Sequence, residues 1–271
     1  MKRLISILCA FCLLVCSCGC SGIFGGVHSR ELGRYVNFKV VDGKKFIEWN
    51  IFTEDGYVEI GDNSFSLAEN IEGEEKTGDA ELVFSAYATS LSRGENNQCA
   101  EGYEYISEQV YDLIGEDTLH FETKILKKGD ELYGALNLYT RSSGRSGNLL
   151  CYENIKKSYL LKIQDEKLEV LQELDDTAIM AFNQTGYIAY KDKMFFSVNT
   201  QSGKKAEICK DIWWDKGPSF WSQVYVYFAD DVFMICGNKS TFKDIRITLI
   251  VGKIGDTQFE TLIDNKLIME Y

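Results

Sequence analysis

The chain has 271 residues, of which 45% are hydrophobic and 26% are charged. This composition is typical of a globular protein with a full hydrophobic core, and it excludes a disordered chain and a polytopic membrane protein. The formal net charge of −12 argues against binding to nucleic acid, because phosphate backbones require clustered lysine and arginine. We therefore expect no nucleic-acid partner.

The N-terminus has the pattern of a secretory leader. Lys2 and Arg3 precede an apolar run over residues 4–15, in which Ser6 is the only clearly polar side chain. As a helix this run would span roughly 18 Å, which is too short for the ~30 Å hydrocarbon layer of a bilayer. Its length and its basic start instead indicate the hydrophobic region of a signal peptide.

Small residues and cysteines follow the apolar run. The sequence VCSC at residues 15–18 resembles the cleavage site of a bacterial lipoprotein, in which an aliphatic residue and small residues precede the lipidated cysteine. The resemblance implies a signal peptide over residues 1–17, lipid attachment at Cys18 with Cys20 as the alternative, and a flexible tether over residues 18–33. It also implies an extracytoplasmic protein held on the bacterial cell membrane by acyl chains such as palmitate. An ordinary signal peptide, cut nearby without lipid attachment, is the alternative interpretation.

Residues 34–271 are predicted to form a single all-β domain. Residues 35–41 and 45–52 alternate between apolar and polar side chains, which is the pattern of half-buried strands. Asp42 and Gly43 lie between the two runs, and an Asp-Gly pair in that place is a strong signal of a β-hairpin. The chain is therefore expected to begin its domain with paired antiparallel strands.

The same pattern continues beyond the first hairpin. Asp55-Gly56 predicts the next turn, and comparable strand–turn–strand patterns recur along the rest of the chain. No long stretch has a clear helical period. The best helix candidate, residues 106–114, reads equally well as a strand. We therefore expect antiparallel sheets throughout the domain.

A faint internal repeat indicates how the strands are arranged. Residues 162–171 and 253–262 align without a gap and share the pattern K-I-x-D-x-x-apolar-E-x-L at an offset of 91 residues. The offset is close to two units of about 45 residues, which is the repeat length of propeller blades with four strands each. The domain therefore resembles an irregular β-propeller of about five blades. A β-sandwich and an open meander are the alternatives.

The domain offers little material for catalysis or metal binding. His28 falls in the tether, His120 opens a strand-like run, and the domain contains no CxxC, HExxH or GxSxG motif. We therefore expect neither a metal site nor a cofactor. Cys209 and Cys236 lie in apolar strand-like runs, so we expect both thiols to be buried in strands rather than joined in disulfides.

One segment favours ligand binding. Residues 211–228, DIWWDKGPSFWSQVYVYF, contain three of the four tryptophans and the only proline. Tryptophan rings on a fixed loop offer flat faces for stacking on a sugar ring or a peptide, and neighbouring carboxylates accept hydrogen bonds from ligand hydroxyls. The alternative is that these rings fill the core. The candidate ligand-binding residues are Asp211, Trp213, Trp214, Asp215 and Trp221.

These features favour a surface-anchored binding or interaction protein with a glycan or protein ligand. The alternative function is the extracytoplasmic hydrolysis of glycans by a pair of carboxylates. The 41 acidic residues allow many such pairs, but no motif selects one of them. The sequence therefore names no catalytic residue.

Overall fold

Most of the described part of the chain is β-structure. A computed structural model of the protein describes residues 32–51, 53–69, 71, 75–76, 79–89, 97–115, 118, 120–140, 154–210, 219–241 and 243–270. Strands account for 70% of these residues and helix for 6%. The prediction of an all-β, antiparallel protein is confirmed.

The first two sheets follow one another along the chain. Sheet 1 consists of β2 (Phe38–Val41), β3 (Lys44–Ile51), β4 (Glu54–Ile60), β5 (Phe65–Ala68) and β6 (Glu75–Lys76). Sheet 2 consists of β7 (Ala80–Ala88), β8 (Asn97–Cys99), β9 (Phe121–Lys128), β10 (Glu131–Tyr139), β11 (Ile155–Gln164) and β12 (Lys167–Asp175). The strand orders are β5-β4-β3-β2-β6 and β12-β11-β10-β9-β7-β8.

The last two sheets complete the domain. Sheet 3 consists of β13 (Ala178–Phe182), β14 (Gly186–Lys191), β15 (Met194–Asn199) and β16 (Lys205–Lys210), in that order. Sheet 4 consists of β17 (Ser219–Ala229), β18 (Val232–Thr241), β19 (Asp244–Lys253) and β20 (Phe259–Glu270), with β1 (Arg34–Tyr35) added beside β17. Among the described strands, β1 pairs with β17 in parallel and every other pairing is antiparallel.

The four sheets are arranged as a propeller-like ring. The propeller-like architecture is confirmed, but the described residues form four blades rather than the expected five or so. The strands are not shared evenly, because sheet 2 takes six strands from residues 80–175 whereas sheet 3 takes four from residues 178–210. A constant unit of about 45 residues therefore does not describe this chain.

The two segments of the internal repeat occupy similar places in their sheets. Residues 162–171 lie in the β11–β12 hairpin, at the β12 edge of sheet 2. Residues 253–262 lie in the β19–β20 hairpin, at the β20 edge of sheet 4. Both hairpins therefore lie at an edge of their sheet, and the claim that they occupy equivalent outer positions of two blades stays a prediction.

The first predicted hairpin turn is confirmed and the second is wrong. Asp42 and Gly43 join β2 to β3 with φ values of 51° and 79°, as a tight hairpin of this kind requires. Gly56 instead lies inside β4, opposite Trp49 of β3. A β-carbon at Gly56 would lie 3.2 Å from ring atoms of Trp49, so this glycine makes room for the indole rather than for a turn.

The segment that could be helix or strand is a helix, α1 (Glu104–Ile114). Its buried side chains, Ile106, Val110 and Ile114, are spaced by four residues and therefore share one face. That face packs on sheet 2, in a core cluster with Phe84 and Phe121. Burial of this stripe explains why the segment is helical despite its aromatic and β-branched residues.

The hydrophobic core has three parts. The largest lies where sheets 2, 3 and 4 meet and includes Phe182 of β13 and Phe228 of β17, whose ring centroids are 5.2 Å apart. A second part lies between sheets 1 and 4, with Ile47 and Trp49 of β3 against Met234 of β18. The third lies between sheet 2 and α1.

Two buried polar side chains connect neighbouring sheets. Asn137 of β10 accepts a hydrogen bond from the Ile179 N–H at 3.1 Å and donates one to the Ile179 carbonyl at 2.9 Å. Its amide thus makes the two hydrogen bonds with β13 that a neighbouring strand would otherwise make. The Asp230 carboxylate accepts hydrogen bonds from the N–H groups of Asp79 and Ala80, each at 3.0 Å. These contacts join sheet 2 to sheet 3 and sheet 4 to sheet 2.

The cysteines divide by exposure. Cys236 is fully buried in β18, as predicted, and burial raises the pKa of its thiol well above the usual value. Cys209 lies in β16, also as predicted, but it is only partly buried. Cys99 is exposed, and none of these three described cysteines forms a disulfide.

Candidate functional site

Most of the residues that the sequence nominated lie outside the described residues. This holds for Cys18, Cys20, Asp211, Trp213, Trp214 and Asp215. Trp221 lies in β17, where its backbone is opposite Ser240 of β18. Because β16 ends at Lys210 and β17 begins at Ser219, the tryptophan-containing segment connects sheet 3 to sheet 4. Its ligand-binding role therefore stays a prediction.

A different candidate site is a cleft on sheet 1 and the short chain segment before it. Its volume is about 240 Å³. The residues that line it are Tyr35, Val36, Asn37, Lys39, Glu48 and Tyr57. None of these residues was predicted from the sequence to belong to a site. In the sequence these residues look like any others of alternating strands, so no local pattern indicates that they line a cleft.

The strand alternation of sheet 1 places the charged and aromatic groups on one face. Ile47, Trp49 and Ile51 point from β3 into the core between sheets 1 and 4. Glu48 lies between them and therefore projects from the opposite face. Tyr57 of β4 is directly opposite Glu48 in the ladder, so its ring lies on that same face.

Lys39 of β2 is held beside the Tyr57 ring. Its Nζ lies 5.0 Å from the ring centroid, within the range of a cation–π interaction. The same ammonium donates a hydrogen bond to the carbonyl of Ile71. The cleft therefore presents a positioned cation, the exposed carboxylate of Glu48 and the face of a tyrosine within one small space.

Tyr35 forms a fixed wall of the cleft. Its hydroxyl donates a hydrogen bond to the Ala80 carbonyl, and its ring meets Phe228 edge-on with centroids 5.4 Å apart. Burial raises the pKa of Tyr35 well above its usual value, and the nearby carboxylate of Asp230 raises it further. The phenol therefore stays neutral and anchored in the interior, and only its ring borders the cleft.

The described residues that line the cleft do not include a pair of carboxylates. Glycosidases of the usual kind need two carboxylates about 5–10 Å apart. Glu48 is the one acid among the described residues that line the cleft. The two buried acids of the described chain, Glu122 and Asp230, accept hydrogen bonds from backbone N–H groups elsewhere.

The described part of the chain contains neither a cluster of metal ligands nor a membrane-spanning helix. Its histidine, cysteine, aspartate and glutamate side chains do not gather in any group of three that could hold a metal ion. None of its helical residues form a helix that is both long and apolar enough to cross a bilayer. Comparisons of the chain with protein families, with curated proteins and with solved structures find no match.

Proposed function

We propose that the protein is a lipid-anchored, extracytoplasmic binding protein whose cleft on sheet 1 holds one sugar residue of a glycan. The observation that carries the proposal is the combination of two tyrosine rings with a cation, a carboxylate and an amide in one cleft. Aromatic faces stack on the apolar face of a sugar ring, and the polar groups exchange hydrogen bonds with its hydroxyls.

The size of the cleft supports a small ligand group. Its volume of about 240 Å³ is below the ~300–1,000 Å³ of sites for drug-sized molecules. A single ring at the end or in the middle of a glycan fits this volume better than a folded protein surface does. The opposite charges of Lys39 and Glu48 favour a neutral ligand rich in hydroxyl groups, because a charged ligand would meet repulsion from one of them.

A screen of monosaccharides and short glycans by saturation-transfer NMR tests the cleft. Glu48→Gln and Lys39→Met should each weaken binding about tenfold or more, since a hydrogen bond to a charged group contributes about 1.5–3 kcal/mol. Glu59→Gln is the matched control, because Glu59 lies on the same face of sheet 1 outside the cleft. Equal binding by all three variants would overturn the proposal.

The tryptophan-containing segment provides the competing location. Alanine variants of Trp213, Trp214 and Trp221 should leave binding unchanged if the cleft alone holds the ligand. Loss of binding in these variants, with unchanged binding in Glu48→Gln, would move the site to the segment between sheets 3 and 4. Loss in both sets would indicate a glycan long enough to reach both places.

The anchor is tested by metabolic labelling with a fatty acid. The wild type should incorporate the label and sediment with membranes, because buried acyl chains contribute about 0.8 kcal/mol per CH2 group to membrane binding. Cys18→Ala should lose the label and become soluble, and Cys20→Ala should not. The reverse result would place lipid attachment at Cys20, and label in neither wild type nor variants would refute the anchor.

A further inference from the structure

Residues 32–36, which we call the latch, pack against sheets 2, 3 and 4. Leu32 is fully buried in the core cluster shared by sheets 2, 3 and 4, and Gly33 is buried beside it. The sequence placed both residues in a flexible tether. The folded body therefore includes the chain from Leu32 onward, and three sheets contact this short segment.

Two charged side chains of β9, the buried Glu122 and the partly buried Lys124, hold the backbone of the latch. The Glu122 carboxylate accepts a hydrogen bond from the Leu32 N–H. The Lys124 ammonium donates to the Leu32 carbonyl at 2.7 Å and to the Gly33 carbonyl at 2.8 Å. Glu122 is 3% exposed and Lys124 is 12% exposed, with 3.9 Å between their charged atoms. Both side chains thus bind backbone groups in the interior, where the cost of removing charges from water is high unless they are paired.

The strands β13 and β17, which lie beside the latch, restrict which residues can occupy its positions. A β-carbon at Gly33 would lie 2.0 Å from the Met180 carbonyl oxygen and 3.0 Å from that of Val226, so only glycine fits there. The Leu32 side chain, in contrast, fills an apolar space in the core. The groove therefore requires a large aliphatic residue followed by glycine.

The latch then continues as an added strand. Arg34 and Tyr35 pair in parallel with Tyr227 and Phe228 of β17, and the Val36 N–H donates to the Phe228 carbonyl at 2.9 Å. Backbone hydrogen bonds along a sheet edge, together with a pocket for one side chain, are the features of peptide recognition by strand addition.

We propose that the groove between β9, β13 and β17 is a peptide-binding site, and that the chain fills it with its own residues 32–36. Its ligand class is an extended peptide with a large aliphatic residue followed by glycine. This inference does not depend on the glycan ligand or on lipid attachment.

The test uses the full-length mature chain carrying Gly33→Val, which expels the latch from its groove. A fluorescent peptide of residues 29–37, SRELGRYVN, should bind this variant saturably in an anisotropy assay. Wild-type protein should bind the peptide at least tenfold more weakly, because its own latch competes. The same peptide with valine in place of glycine should not bind either protein. A folded variant that binds neither peptide, or both equally, would overturn the proposal.

A second measurement decides the question if Gly33→Val does not fold. Hydrogen exchange of the wild type should show protected amides at Leu32 and Val36. Lys124→Met should speed exchange at Leu32 at least tenfold, whereas the matched control Lys128→Met, in the same strand, should not. Fast exchange at Leu32 in the wild type, or equal exchange in both variants, would refute a site that holds the latch.

Discussion

Two buried asparagines allow a matched test of what the polar core contributes. Asn137 and Asn238 are both fully buried in central strands of their sheets. Asn137 bonds both backbone groups of Ile179 and accepts a hydrogen bond from the Ser158 hydroxyl at 2.6 Å. The side-chain oxygen and nitrogen of Asn238 have no hydrogen-bond partner among the described residues. Substituting each asparagine by leucine therefore compares two equally buried positions that differ in their hydrogen bonds.

We expect Asn137→Leu to destabilise the protein and Asn238→Leu not to. Asn137→Leu leaves the N–H and the carbonyl of Ile179 unpaired and buried, and each such group costs about 1–3 kcal/mol. We expect the free energy of unfolding to fall by about 3–5 kcal/mol, a large part of the ~5–15 kcal/mol of a typical domain. Asn238→Leu removes an amide that has no hydrogen-bond partner among the described residues. We expect this variant to be unchanged or more stable by up to about 2 kcal/mol.

Urea unfolding followed by tryptophan fluorescence and far-UV circular dichroism measures both variants. The slope of the unfolding free energy against urea should stay equal to that of the wild type, so that the change reports stability and not compactness. If Asn238→Leu loses as much stability as Asn137→Leu, the loss does not follow from the hydrogen bonds that distinguish the two asparagines. The assignment of the cost to the bonds of Asn137 would then be refuted.

Two further predictions concern buried titratable groups. In the native protein a thiol reagent should label exposed Cys99 within minutes and Cys236 only as fast as the chain unfolds; equal rates would contradict the burial of Cys236. Burial raises the pKa of Tyr227 from 10.0 to about 12. Its contribution to stability is therefore complete below pH 10 and is lost between pH 10 and 12, at about 1.4 kcal/mol per pH unit. Urea unfolding across this range should show a weaker decline in Tyr227→Phe, and an identical decline would refute the assignment.

Strand positions and their faces were largely predictable because they depend on nearest neighbours. Alternation around Ile47, Trp49 and Ile51 predicts which side chains of β3 enter the core, and the structure agrees. Asp42-Gly43 predicts its turn because both residues adopt positive φ with little strain. The same dipeptide at Asp55-Gly56 gave a wrong prediction, because there the glycine is needed to make room for the ring of Trp49 on the neighbouring strand.

The candidate sites depended on contacts that local patterns do not contain. Leu32 and Gly33 look like a continuation of a glycine-containing tether, and Glu122 and Lys124 look like ordinary polar positions of a strand. Their hydrogen bonds join residues 90–92 positions apart, so no window of the sequence brings them together. The cleft likewise combines Tyr35 with Glu48 and Tyr57 of other strands.

The sequence by itself therefore determined the class of the fold, the period of its strands and the faces that become buried. These properties follow from backbone geometry and from the affinity of each side chain for water, which act over a few residues. The number of blades, the helical state of α1 and the place of the latch were decided by tertiary structure. They depend on which surfaces meet to exclude water and on which distant side chains satisfy the backbone groups that this burial leaves unpaired.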